Sequence, residues 1–321
     1  MKIFNAGYVA LCVLATACNS GGNTPPKETL VSKPVNNNSN KSIIVYPAPA
    51  NERLNATYKV SADGQDIAVY NVKAPQILKN SRDTAEFSGM AYFDFVKGPV
   101  TVTVSVDAAI SKAEVLPASL GITPEIKDKS ISFQIDKPQN LDIQINGDPI
   151  HQLHLFVNPE ETDVPNPKDP DVVYFGPGSY RLPQMELEDG MTVYIAGGAV
   201  VHCYVGPHEW YTLNDKGYKN YNKFYTFDLT GKNITFRGRG IVDQDGIPAY
   251  GRRSVLVKGE NIKVEGVIFR SPSEWTVVVE SSKNVSIDNI KIIGYRPCSQ
   301  AIMVDGNSDV KETDNYILVP Q

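Results

Sequence analysis

Two neighbouring stretches, GENIKVEGVIFRS (259–271) and SKNVSIDNIKIIG (282–294), can be laid over one another residue for residue. The same frame extends upstream to GKNITFRGRGIVD (231–243) and downstream to NSDVKETDNYILV (307–319). Asn233, Asn261, Asn284 and Asp309 then share one column, and Phe236, Val264, Ile287 and Glu312 another. A second kind of strand precedes the later repeats: SVLVKG (254–259), TVVVES (276–281) and AIMVDG (301–306). Two alternating strand types recurring every 22–28 residues predict a β-solenoid in which each coil adds one strand to each of several parallel sheets. Glu312 is thereby expected at an inward position, where an unpaired carboxylate is costly.

Equivalent residues of successive coils sit one strand spacing apart, roughly 4.8 Å. Cys203 and Cys298 are separated by about four coils, which at that spacing is roughly 19 Å. A disulfide needs Cα atoms within about 7 Å, so two free thiols are expected.

Upstream the period changes. GPVTVTVSVDA places Val100, Val102, Val104 and Val106 on one face, with Thr101, Thr103 and Ser105 on the other. With the runs at 43–48, 56–63, 66–72, 91–96, 130–135 and 141–145, it predicts an antiparallel β-sandwich over 42–158. The proline-rich and charged segment 159–171 reads as a linker, and the solenoid domain as 172–321. Residues 19–41 nearly lack large apolar groups and read as a disordered tether. Residues 1–18, with Lys2, an apolar stretch and the small residues Ala15, Thr16 and Ala17 before Cys18, have the layout of a secretory signal. This segment resembles bacterial lipoprotein signals, which implies a lipid on Cys18 and a place in the cell envelope, at the outer membrane or in the periplasm. The formal net charge of −5 gives no basic footprint, so nucleic acid is not an expected partner.

The whole arrangement is all-β, a sandwich followed by an incomplete parallel β-helix. GRGIVDQDG (238–246), RSPSEWTVVVESSKNVSIDNIKI (270–292) and RPCSQAIMVDGNSDV (296–310) carry a resemblance to known coils. They resemble the right-handed parallel β-helix of glycoside hydrolase family 28, the polygalacturonases. The order sandwich-then-helix is also similar to the dextranase family, 49. The resemblance implies hydrolysis of polysaccharide O-glycosidic bonds, with aspartates on adjacent coils as general acid and base. Laid on the family's Asn-Thr-Asp-Gly motif, Cys298, Ser299, Gln300 and Ala301 occupy its four positions, so Gln300 stands where the aspartate belongs. An amide neither ionises nor serves as a base. Met303 stands where the family often has a second acid. The family's later Asp-Asp, Gly-His-Gly and Arg-Ile-Lys motifs would lie beyond residue 321, so the chain is expected to be a truncated and inactive relative.

Expected contacts to an oligosaccharide, uronate-containing or not, are Trp210, Tyr211, Tyr218 and Tyr221 in the aromatic run 209–227, together with Trp275 and Arg296. That run suits equally a loop covering one end of the helix, and Trp275 suits core packing. Asp243 and Asp245 read as turn residues. Asp305, Asp243 and Glu274 are the acids to consider if the motif alignment fails. His202, Cys203 and His208 lack a second ligand cluster, so neither a metal nor a cofactor is expected. Three functions are compatible with these features: an inactive glycosidase relative, a non-catalytic glycan-binding surface lipoprotein, and, least supported for want of an acid cluster, a polysaccharide lyase.

Overall fold

The computed structural model describes residues 41–75, 86–207, 209, 211–213, 215, 217, 219–221 and 224–320. The signal segment with Cys18, the tether to residue 40, His208, Trp210 and Tyr218 lie outside the described residues, and only the backbone of Tyr221 is described.

Residues 43–159 form two sheets that share a core. One contains Ile43–Val45, Val69–Lys73, Phe87–Phe95, Ala113–Leu116, Gln139–Ile145 and Leu153–Pro159. The other contains Tyr58–Ala62, Gln65–Ile67, Val100–Val106, Glu125–Lys127 and Ser130–Ile135. The valines of the alternating strand, Val100, Val102 and Val104, are buried between the sheets with Phe93, Leu141 and Leu155. The sandwich is antiparallel except at one pairing: Leu153–Pro159 runs parallel to Phe87–Phe95, with Leu155 opposite Ala91. Both strands of that pair are buried on their two faces, the usual setting of a parallel pairing.

From Val172 the chain winds into a parallel β-helix of three sheets. The first sheet stacks Val172–Phe175, Thr192–Ile195, Thr235–Gly238, the second half of Arg253–Glu265, Lys283–Asp288 and Val310–Thr313. The second stacks Gly178–Leu182, Ala199–Cys203, Ile241–Asp243, Ile268–Arg270, Lys291–Ile293 and Tyr316–Leu318. The third stacks Met185–Glu186, Tyr225–Lys232, the first half of Arg253–Glu265, Trp275–Val279 and Gln300–Val304. The sequence columns are the observed register: Phe236 pairs with Val264, Val264 with Ile287, and Ile287 with Glu312. Glu312 is in that column but exposed, so its carboxylate keeps its water.

The asparagine column makes the corner between the third and first sheets. Asn233, Asn261 and Asn284 all adopt the left-handed conformation, with φ of 57°, 58° and 51°. Asparagine tolerates that region better than most residues. Its amides also link the coils, Asn261 Nδ2 donating to Asn233 Oδ1 at 3.0 Å and Asn284 Nδ2 to Asn261 Oδ1 at 2.7 Å. Just before this corner Gly259 sits on Gly231, and a Cβ there would lie 1.8 Å from the Gly231 carbonyl oxygen. Cys203 and Cys298 are free and buried, as the coil count requires.

The sandwich lies along the outside of the second sheet. Two outward columns run up that sheet: Val200, Ile241, Ile268, Lys291, Tyr316, and beside them His202, Asp243, Arg270, Ile293, Leu318. Their apolar members pack against Tyr70, Val72, Met90, Tyr92 and Phe156 of the sandwich. Polar members find partners coil by coil. Glu52 meets His202 at 2.8 Å and Arg270 at 3.1 Å. Asp94 meets Arg239 at 3.2 Å and accepts from the Tyr46 hydroxyl at 2.7 Å. Asn158 accepts from Lys291, and Asp142 accepts from the Tyr316 hydroxyl at 2.8 Å. The segment 159–171 continues the contact, since Glu161 accepts from the Tyr194 hydroxyl at 2.6 Å and Asp163 from Arg237 at 3.1 Å.

Candidate glycan-binding face

With the second sheet covered, the third presents the open face that begins with the coil motif singled out in the sequence. Along its strands Phe227, Leu229, Val255, Val257, Val277 and Val279 point into the solenoid core. The alternate residues form outward rows, such as Asp228, Leu256, Val278 and Met303, which are neighbours strand to strand. At the strand starts Tyr225 pairs with Arg253, and Trp275 with Gln300.

These starts carry the chemistry. Arg253 donates through Nε and Nη2 to Glu274 Oε1 at 3.3 and 3.4 Å, and through Nη1 to the Tyr225 hydroxyl at 3.1 Å. The Tyr225 hydroxyl in turn donates to Glu280 Oε1 at 3.3 Å. Glu280 follows the far end of Trp275–Val279, the Arg253 guanidinium lies 5.8 Å from the centre of the Tyr225 ring, and Leu256 and Val278 of the outward row are buried. Burial raises the Tyr225 phenol above its ordinary pKa, so it remains a donor at neutral pH. Burial opposes the Arg253 charge, but Tyr225 and Glu274 outweigh it and push its pKa up. Trp275 is half-buried and is not among the residues packed on the solenoid core.

The Cys298–Ala301 turn divides inward and outward. Cys298 donates through Sγ to the Ser273 carbonyl at 3.2 Å, and Ser299 through Oγ to the Pro272 carbonyl at 2.7 Å, both buried. Ala301 packs on the core, and Gln300 is exposed beside Trp275. Met303 continues the apolar outward row. Arg296 is part of a turn clasp: its guanidinium donates to the carbonyls of Ile247 at 2.9 Å and Asp245 at 3.0 Å, and to the Tyr295 hydroxyl at 2.9 Å. Tyr211 is exposed on a hairpin formed by Tyr211–Leu213 and Lys219–Tyr221. That hairpin's base is tied to the strand starts, Glu209 pairing with the buried Arg252.

The remaining acids are committed elsewhere. Burial would raise Asp243, but Arg270 at 3.0 Å and His202 at 3.1 Å overcome it and hold the carboxyl well below the usual range. In the same cluster, hydrogen bonds that the His202 ring donates to Asp243 and Glu52 lift its pKa to about 9. Asp305 caps a turn, accepting from the Ser308 hydroxyl at 2.6 Å and the Ser281 amide at 2.8 Å, which lowers its pKa. His202 faces the sandwich while Cys203, one residue on, faces the core, so these two cannot share a ligand. Among the described residues no group of three or more His, Cys, Asp or Glu is placed to hold a metal.

Sequence reasoning missed Arg253 and Glu280. The strand starts Arg253-Ser-Val, Trp275-Thr-Val and Gln300-Ala-Ile stand at one offset from the inward valine or isoleucine. Extending the column one coil upstream from Trp275 would have found Arg253.

No protein-family model matches the chain, and no curated protein does. Among solved structures, a candidate glycosyl hydrolase from Parabacteroides merdae matches at 20% identity with a TM-score of 0.37, covering 47% of this chain and 74% of that one. The family 28 exopolygalacturonase of Yersinia enterocolitica matches at 12% identity with a TM-score of 0.37, covering 70% of this chain and 62% of that one.

Proposed function

We propose that this chain is a glycoside-hydrolase-like protein that binds a polysaccharide along the outer face of the third solenoid sheet without cutting it. The observation that carries the reading is the cluster of Tyr225, Arg253, Glu274, Trp275, Glu280 and exposed Gln300 on the open face. Flat aromatic surfaces with fixed polar groups are what a sugar ring needs: faces for its C–H groups and partners for its hydroxyls. Gln300 supports binding over hydrolysis, because the position that resembles the polygalacturonase aspartate holds an amide. Glu274 is ion-paired with Arg253, and Asp243 and Asp305 are engaged in their own clusters.

Calorimetric titration with an oligosaccharide panel, alongside a reducing-end assay on the same polymers, tests this. Binding is expected, weakened about tenfold or more by Trp275→Ala, with no new reducing ends. Turnover above that of a heat-inactivated control, or no binding to any saccharide, overturns the reading. A companion proposal places the protein on the cell envelope through a lipid on Cys18. Mass spectrometry of the exported protein would find a diacylglyceryl-sized addition there, and a lipid-free N-terminus elsewhere would refute it.

A further inference from the structure

We infer that the ligand of this face is an uncharged glycan read through its hydroxyl groups, and that the face turns polyanionic glycans away. The inference rests on the third-sheet face being a saccharide surface and concerns which class of saccharide it takes.

A polyuronate presents one carboxylate per sugar and needs cations with free donors. The two guanidiniums nearest the motif are already engaged by the protein. Arg253 is bonded to Glu274 and to Tyr225, and Arg296 to two carbonyls and the Tyr295 hydroxyl. An incoming carboxylate would find three of the five N–H groups of Arg253 already used and would have to sit beside the Glu274 carboxylate, two anions side by side. The surrounding residues reinforce the repulsion. Asp228 lies in the outward row, and Glu280 and Asp305 directly follow the strands Trp275–Val279 and Gln300–Val304. Among the described residues, the cations that stand against these three and Glu274 are Arg253, the exposed Lys258 and Arg252, the last paired with Glu209. The local field therefore opposes anions.

The same carboxylates suit a neutral ligand. Glu274 and Glu280 make their bonds to Arg253 and Tyr225 through Oε1, leaving each Oε2 without a protein partner among the described residues. An ionised carboxylate is the strongest acceptor a side chain offers to a hydroxyl donor, and these two are held in place by the groups behind them. Gln300 adds an exposed amide that can both donate and accept. Trp275 and the Tyr225 ring supply the flat apolar surface.

The experiment compares neutral oligomers (cello-, xylo- and isomalto-oligosaccharides) with oligogalacturonate of matched length, by calorimetry at low and high ionic strength. At least one neutral series is expected to bind about tenfold more tightly than oligogalacturonate, with little salt dependence. Glu280→Gln is expected to narrow that gap about threefold or more by admitting the anion, while circular dichroism shows the fold intact. Oligogalacturonate binding more tightly than every neutral series and weakening with salt would overturn this inference and leave the saccharide surface standing. Failure of every probe to bind would overturn the saccharide surface itself, and this inference with it.

Discussion

The second and third sheets of the solenoid come from the same coils, one strand each per turn, yet their outer faces are opposites. Outside the second sheet the residues are apolar or paired with the sandwich. Outside the third, half-buried Tyr225, Arg253 and Trp275 and exposed Gln300 stand at the starts of strands whose outward row includes the buried Leu256 and Val278. The difference lies in what each strand presents outward. Ile241-Val242-Asp243, Ile268-Phe269-Arg270 and Lys291-Ile292-Ile293 place apolar residues in succession, which suits burial on both faces. The third sheet has an apolar outward row of its own in Leu256, Val278 and Met303, and differs in gathering Tyr225, Arg253, Glu274, Trp275 and Gln300 at or beside its strand starts. Covering one face leaves the other for the proposed ligand.

The sharpest test of that contrast removes one carboxylate from each side. Asp94 is fully buried, burial raises its pKa, and Arg239 and Tyr46 depend on it. Asp94→Leu would leave a buried guanidinium unpaired, so it should lower unfolding free energy by about 3–5 kcal/mol in chemical denaturation. Glu274→Gln on the open face should change it by no more than about 0.5 kcal/mol. Equal costs would mean that the two faces are not differently buried in solution.

A smaller effect comes from pH. His202 has its folded pKa raised from 6.5 to about 9, so its contribution is complete below 6.5 and is lost as pH rises through 9. Glu52 and Asp243 are depressed, so theirs is present above the ordinary carboxylate range and is lost in acid. Stability should therefore decline between pH 6.5 and 9. Because the His202 side chain is 34% exposed, screening reduces the amplitude to on the order of 1 kcal/mol. His202→Gln should flatten that alkaline limb in pH-dependent melts. An unchanged limb would separate His202 from the docking of the sandwich.

An effect of similar size probes the corner beside the open face, where order is local. Asn261→Ala deletes two ladder bonds and leaves a non-glycine residue at φ 58°, which should cost roughly 1–2 kcal/mol. Asn261→Gly should cost less, because glycine accepts that φ freely. If alanine and glycine cost the same, the bonds and not the backbone carry the corner.

Much of the solenoid was legible in the sequence because its coils repeat. The asparagine column and the Phe236–Glu312 column recur at the observed register, since a parallel stack places equivalent residues on one another. The parallel strand pair inside the sandwich and the docking of the sandwich were not read. Both depend on contacts between residues far apart in sequence, as in Glu52 with Arg270 or Asp94 with Arg239. Their local trace was present in the apolar run Met90–Phe93 and in the adjacent apolar residues of Ile268–Arg270 and Lys291–Ile293. The candidate site was half legible. Gln300 and Trp275 follow from the motif, but the Arg253–Tyr225–Glu280 chain crosses coils and strand ends, and no single repeat contains it.

One consequence of the sandwich's position concerns mechanics. A free-standing solenoid can be peeled like a coiled rope, because each rung holds only the rungs above and below it. Here Glu52 grips two rungs that are not neighbours, reaching His202 and Arg270 across the intervening coil of Asp243. Asp94, Asn158 and Asp142 fasten further rungs to the same rigid plate. Tension applied to one rung is shared through the plate with the others, so the stack resists unwinding as a riveted beam does, giving way all together.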